Sequence, residues 1–251
     1  MSTQNIKLKS LLKTLGLAIA FGTIVGSLVP VNARPSSELK KQDSVTITNS
    51  GLPSHRRDGG TRSNCSLNSE EFVALLPNTA VSRTASSNPK LYFHVPPTKR
   101  SQTIEFVLRD SQDRLVYETF IETKGQTGIM SIEIPLPVVT LNQTKSLGYN
   151  TNYHWYLSHI CNPKKRSQDL VLQGWINHVA LSKITQEKLK QLSLDEQINF
   201  YQQQGIWHDA IAIAASQRQA QPENSSQTKW SEFLSQIGLE KFVAKPLIEQ
   251  N

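Results

Sequence analysis

Three arginines and two glycines share one short window, His55-Arg56-Arg57-Asp58-Gly59-Gly60-Thr61-Arg62. Guanidinium forks match carboxylates and phosphates, and a glycine pair frees the backbone to offer amides to the same anion. The window is no P-loop, because no Lys-Ser/Thr follows the second glycine and no strand–loop–helix frame surrounds it. Arg56, Arg57, Arg62, Gly59 and Gly60 are therefore the candidate anion- or partner-binding residues. The plainer reading is a solvated loop pinned by Cys65, with an arginine paired to an acid of the same chain. Arg62, nearest Cys65, is assigned to that internal acid, which leaves Arg56 and Arg57 as the binding pair.

Other residue sets point to less chemistry. His154, His159 and Cys161 have spacings a metal site can use, but on a strand His154 faces away from the other two. No metal site is expected there. His208 and Asp209 are neighbours on a helix and diverge by about 100°, so they form no His–Asp pair, and Asp209 reads as a helix-surface or early-turn charge. No Gly-x-Ser-x-Gly, His-Glu-x-x-His or dinucleotide glycine fingerprint occurs. No catalytic residue and no cofactor is assigned. Trp155, Tyr156, Trp175, Trp207 and Trp230 can build a sugar-binding platform, yet at strand and helix spacing they are expected mainly in packing.

The N-terminus decides the compartment. Lys7, Lys9 and Lys13 precede an uncharged run from Thr14 to Ala33 that is apolar from Leu15 to Val25 and ends Val31-Asn32-Ala33. Basic, apolar and small-residue regions in that order mark a signal peptide, cut after Ala33. An uncleaved anchor is the rival, since the run is just long enough to span a bilayer. Gly16, Gly22, Gly26, Ser27 and Pro30 weaken that rival, and no stable membrane insertion is expected after cleavage. The chain holds two cysteines, and in an oxidising compartment Cys65 and Cys161 read as a disulfide pair. Without residues 1–33, which carry three lysines and no acid, 24 basic residues face 20 acidic ones. That net +4 gives nucleic-acid binding little support.

The elements that position these residues divide the remainder into three. Residues 34–64 read as a flexible tail and the Arg/Gly loop. Residues 65–182 read as antiparallel strands. Leu91, Phe93 and Val95 share one face, as do Ile104, Phe106 and Leu108. Leu115, Tyr117, Thr119 and Ile121 share another, as do Met130, Ile132 and Ile134. Tyr153, Trp155, Leu157 and Cys161 follow, and in Leu170–Ala180 Trp175 and Ile176 compete for the buried side. Six or seven such strands indicate an all-β sandwich of immunoglobulin or fibronectin type.

Residues 183–251 change to helical period. Ser193-Leu-Asp-Glu196 is a capping box. Leu194, Ile198 and Tyr201 follow, and Gly205 stops the helix. A second helix carries Ile206, Trp207, Ala210, Ile211, Ile213 and Ala214. A third, opening near Ser226, carries Trp230, Phe233, Leu234 and Ile237 before Gly238. Three short amphipathic helices cannot bury their faces alone, so this segment is expected to dock on the sandwich, giving an α+β whole.

Several stretches together carry a family resemblance. They are Gly51-Leu-Pro53, Arg56–Arg62 with Cys65, Pro89–Pro96, Glu105–Leu108, Gly128-Ile129, Tyr153–Tyr156 with Cys161, Gly174-Trp175, Gly205–Trp207 with Asp209-Ala210, Trp230, and Gly238-Leu239. From about residue 50 to 248 the chain resembles the domain-of-unknown-function 928 family of exported cyanobacterial proteins. The resemblance implies a cell-envelope protein and brings no established activity with it. The expectation is a periplasmic or extracellular, non-enzymatic binding or accessory protein whose partner is another envelope protein. The alternatives are an anion- or glycan-sensing module using the Arg/Gly loop, and an envelope hydrolase with an unrecognised site.

Overall fold

The computed structural model describes residues 71–79, 81–98, 100–134, 138–140, 143–145, 149–220 and 225–248. Strands β1 (Val73–Ala74), β2 (Val81–Thr84), β3 (Lys90–Val95), β4 (Thr103–Arg109), β5 (Leu115–Glu122) and β6 (Gly128–Glu133) come first. A hairpin of β7 (Val138–Thr140) and β8 (Gln143–Lys145) follows, then β9 (Asn152–Ile160) and β10 (Leu170–His178). Four helices complete the order: α1 (Lys183–Gln191), α2 (Leu194–Gln203), α3 (Trp207–Ala220) and α4 (Ser225–Gln236). The result is α+β.

The strands form a three-stranded sheet, β1-β3-β6, and a five-stranded sheet, β2-β10-β9-β4-β5. Pairing is antiparallel except between β2 and β10, which run parallel. Pro77 lies between β1 and β2, where the chain leaves the smaller sheet for the larger. The alternating face of β4 (Ile104, Phe106, Leu108) meets Trp155 and Leu157 of β9, Leu172 and Ile176 of β10, and Leu91 and Phe93 of β3 in one core between the sheets. Each such aliphatic or aromatic side chain stabilises the fold by about 1.5–3 kcal/mol when fully buried.

A second core lies on the other side of the small sheet. Val73, Tyr92 and Ile129 pack there against Ala210, Ile211 and Ala214 of α3, Trp230, Phe233 and Leu234 of α4, and Phe242. The small sheet is thus covered on both faces, and β3 is buried along its length from Leu91 onward. The molecule is layered sheet, sheet, helix.

Two sequence expectations are corrected. Leu115 is 47% exposed while Val116 is buried. The pairing slips between Leu108/Arg109, so that Leu108 faces Tyr117 and Arg109 faces Leu115. The extra residue, Val116, is turned inward by this bulge. The helices also number four among the described residues rather than three. The additional one, α1, is capped by Ser182, whose side chain accepts from the Thr185 N–H, and buries only Leu189. Its apolar periodicity is too thin to read, with Ile184 exposed. The Ser193–Glu196 capping box is present in both directions. Gly205 stands at φ +69 at the end of α2, a left-handed conformation that glycine adopts without strain.

Candidate functional site

Helix α3 begins immediately after Ile206, and its first turn carries three side chains in three directions. Trp207 is half-buried against Phe233, with ring centroids 6.0 Å apart. His208 enters the interior, where its Nδ1–H donates to the Lys90 carbonyl at 3.1 Å and its Nε2 lies 2.6 Å from Ser82 Oγ. A carbonyl only accepts, so Nδ1 carries the proton and Nε2 receives the serine hydroxyl. Burial pushes the His208 pKa down to about 4. Ser82 is 3% and His208 2% exposed. A serine and a histidine in contact resemble half of a nucleophilic triad, but the histidine is oriented by a carbonyl instead of a carboxylate. The pair ties β2, β3 and α3 together.

Asp209 takes the third direction. Its Oδ2 accepts from Thr84 Oγ1 at 2.8 Å and from the Ala85 N–H at 3.0 Å. The expectation of a surface charge is therefore corrected. Asp209 does lie in the first turn, but it faces the end of β2, whose outgoing amide and hydroxyl need an acceptor. Burial raises its pKa, against the lowering effects of the Thr84 and Ala85 hydrogen bonds and of His178.

Asp209 lines an open cleft of about 560 Å³. Besides α3, five segments build it: the Ala85–Ser87 loop, Tyr149, the chain from His178 to Leu181, one face of α1 with Gln186 and Lys190, and Gln197 and Tyr201 of α2. The Tyr149 ring packs at a tilt of 33° against the His178 imidazole, with 4.5 Å between centroids. Tyr149 is 62% exposed and His178 is buried. Burial raises the Tyr201 pKa, with the Asp209 charge adding to it. Lys190 is held by Glu187 at 2.8 Å. The arrangement offers a carboxylate, an imidazole, a phenol and side-chain amides beside an exposed aromatic ring. The sequence singled out Asp209 and placed Tyr201 only on the apolar stripe of its helix, while Ser82, Thr84, Tyr149 and His178 went unnamed. Thr84 and Asp209 stand 125 positions apart, and no local pattern announces such a pair.

The other candidates are dispersed. Arg56, Arg57, Arg62, Gly59, Gly60 and Cys65 lie outside the described residues, as does the leader. His154 lies on the face of β9 opposite Trp155 and is buried there, stacked on Trp175 at 4.3 Å and hydrogen-bonded to Tyr156 at 2.8 Å. His159 packs edge-on against Phe72. Among the described residues no three of His, Cys, Asp and Glu gather as metal ligands. Trp155 and Trp230 are buried in the two cores. Beside Cys161, Arg166 bridges Glu105 at 2.6 Å and Asp169 at 2.5 Å, and Asp169 accepts the Cys161 N–H at 3.1 Å. Two acids facing the Cys161 turn are thus taken by Arg166. Among the described residues no helix is long and apolar enough to cross a membrane.

No curated protein matches the chain. A family model does match, over residues 57–247, and that span takes in both sheets, the helices and the cleft. The chain belongs to the Domain of Unknown Function (DUF928) family.

Proposed function

We propose that this is an exported, non-enzymatic binding or accessory protein of the cell envelope, and that the cleft beside Asp209 is its recognition face. The observation that carries the reading is the cleft itself. Its volume falls within the range of about 300–1,000 Å³ usual for small-ligand sites, and its lining mixes an exposed ring with a few placed polar groups. Export rests on the basic, apolar and small-residue pattern of residues 1–33, and with it goes a periplasmic or extracellular location. The resemblance supplies the cyanobacterial origin. A Cys65–Cys161 bridge accords with export, and no free cysteine occurs among the described residues. An immunoglobulin- or fibronectin-type sandwich is supported by the strand order β2-β10-β9-β4-β5 facing β1-β3-β6, with the chain crossing between the sheets from β1 to β2, β2 to β3, β3 to β4 and β5 to β6. Arg56 and Arg57 remain the candidates for an anionic partner.

The hydrolase reading gains from one observation, the convergence of Asp209 and His178 on the cleft. It loses to the binding reading because Asp209 is already fastened to Thr84 and Ala85. That leaves the carboxylate a fixed acceptor rather than a mobile proton carrier.

The test is capture of envelope components on the immobilised full chain, compared with Ser87→Trp, which fills the cleft from an exposed position. Loss of captured material in the variant supports the reading. Equal capture by both proteins moves recognition elsewhere, and turnover of envelope polymers by the wild type would favour the hydrolase.

A further inference from the structure

Resting on the binding reading above, we infer that the cleft takes a neutral sugar ring. The first reason is the exposed wall. The Tyr149 ring leans on His178 at 33° between ring planes, and the residue is still 62% exposed. A ring supported from behind and open in front is a preorganised platform for the apolar face of a pyranose, because neither surface must be ordered on binding.

The second reason is the balance of hydrogen-bonding groups. Gln186 Nε2 donates to the Leu181 carbonyl at 2.8 Å, and Gln197 Nε2 donates to the Leu192 carbonyl at 3.0 Å. These bonds fix both amides and leave their oxygens as acceptors. Asp209 adds a carboxylate that takes its two inward donors on one oxygen. The lining also carries the hydroxyls of Ser86, Ser87 and Tyr201 and the Lys190 ammonium, so it presents both acceptors and donors to a ligand whose hydroxyls do both.

Charge narrows the class further. An acidic sugar would bring a second negative charge beside Asp209, whose own ionised form burial already disfavours. An amine would meet the Lys190 ammonium on the same lining. A neutral ring avoids both costs, and the cavity has room for one or two such rings.

The experiment is saturation-transfer NMR on the full chain with glucose, mannose, N-acetylglucosamine and their disaccharides, beside glucuronate and glucosamine. At least one neutral sugar should receive saturation with a dissociation constant of about 1 mM or tighter. Tyr149→Ala should weaken it about tenfold, as loss of a stacking ring does. Gln186→Ala, on the exposed face of α1, should weaken it less, with thermal melting of both variants unchanged. No saturation of any neutral sugar by folded protein would overturn the inference, as would an unchanged affinity in Tyr149→Ala or tighter binding of glucuronate or glucosamine. Cleft-dependent capture of envelope material that no sugar displaces would remove the sugar and leave the binding reading standing.

Discussion

Ser82 Oγ lies 2.6 Å from His208 Nε2, in a part of the interior where both residues are almost wholly excluded from solvent. The serine belongs to the larger sheet and the histidine to α3, and the imidazole's other nitrogen is anchored on the smaller sheet through Lys90. One neutral imidazole therefore spans all three layers of the molecule. Its value lies in satisfying two polar groups that burial has cut off from water.

Ser82→Ala removes the hydroxyl and leaves Nε2 buried without its donor. Stability should fall by about 1–3 kcal/mol, the usual cost of such a vacancy. Urea denaturation of the two proteins at neutral pH measures it. An unchanged midpoint would mean that water replaces the serine.

Stability should also fall on mild acidification. Burial lowers the pKa of His94, His154, His159 and His208 in the folded protein. The unfolded chain takes up these protons first, near pH ~6.5. Stability present above that pH is therefore lost as the pH drops toward the folded-state values, which for His208 is about 4. His208 alone accounts for about 2 kcal/mol between pH ~7 and ~5. Asp209, whose pKa is raised, works in the opposite direction as it protonates in the folded state. Denaturant midpoints measured across this range should decline, and a flat profile would contradict the buried neutral imidazoles.

Gly174 stands opposite Trp155 in the β9–β10 ladder, and a Cβ on it would come within 2.5 Å of the indole. Gly174→Ala must displace a core tryptophan. The expected loss is about 1–3 kcal/mol by overpacking, with a change in tryptophan fluorescence. Calorimetric melting of the variant at the wild-type temperature would show that the ring moves aside freely.

The C-terminal residues fasten the free side of β6. The Ile129 N–H donates to the Pro246 carbonyl at 2.7 Å, and the Ile248 N–H to the Ile129 carbonyl at 2.8 Å. Gly128 permits this approach with φ +148, and a Cβ there would meet the Pro246 oxygen at 2.5 Å. Gly128→Ala should speed hydrogen exchange at the Ile129 and Ile248 amides by about tenfold or more, before the rest of the sheet is affected.

Free-thiol labelling of the purified protein, denatured without reductant, should find no reactive cysteine. Closing a loop of 96 positions between Cys65 and Cys161 would stabilise the fold by about 4.7 kcal/mol at most on the chain-entropy model. Two labelled cysteines would remove the bridge.

Local patterns determined a good deal by themselves. Ile104, Phe106 and Leu108 on β4, and Trp155 and Leu157 on β9, face inward as their alternation requires. The Ser193–Glu196 box and Gly205 bound α2 because caps and stops act within one turn. Trp230, Phe233, Leu234 and Ile237 share a buried helical stripe. Burial on a second face left no such trace. Tyr92 and His94 alternate with Leu91, Phe93 and Val95 and look like an outer face, yet α3, α4 and Phe242 cover the former side. The inward turn of Val116 depends on a slip in pairing with another strand. The cleft depends on six segments, and Asp209 acquires its partners only when α3 meets the end of β2. Periodicity reports which side of an element is apolar. What lies against the other side, and which polar groups are shut in together, is decided when the layers pack.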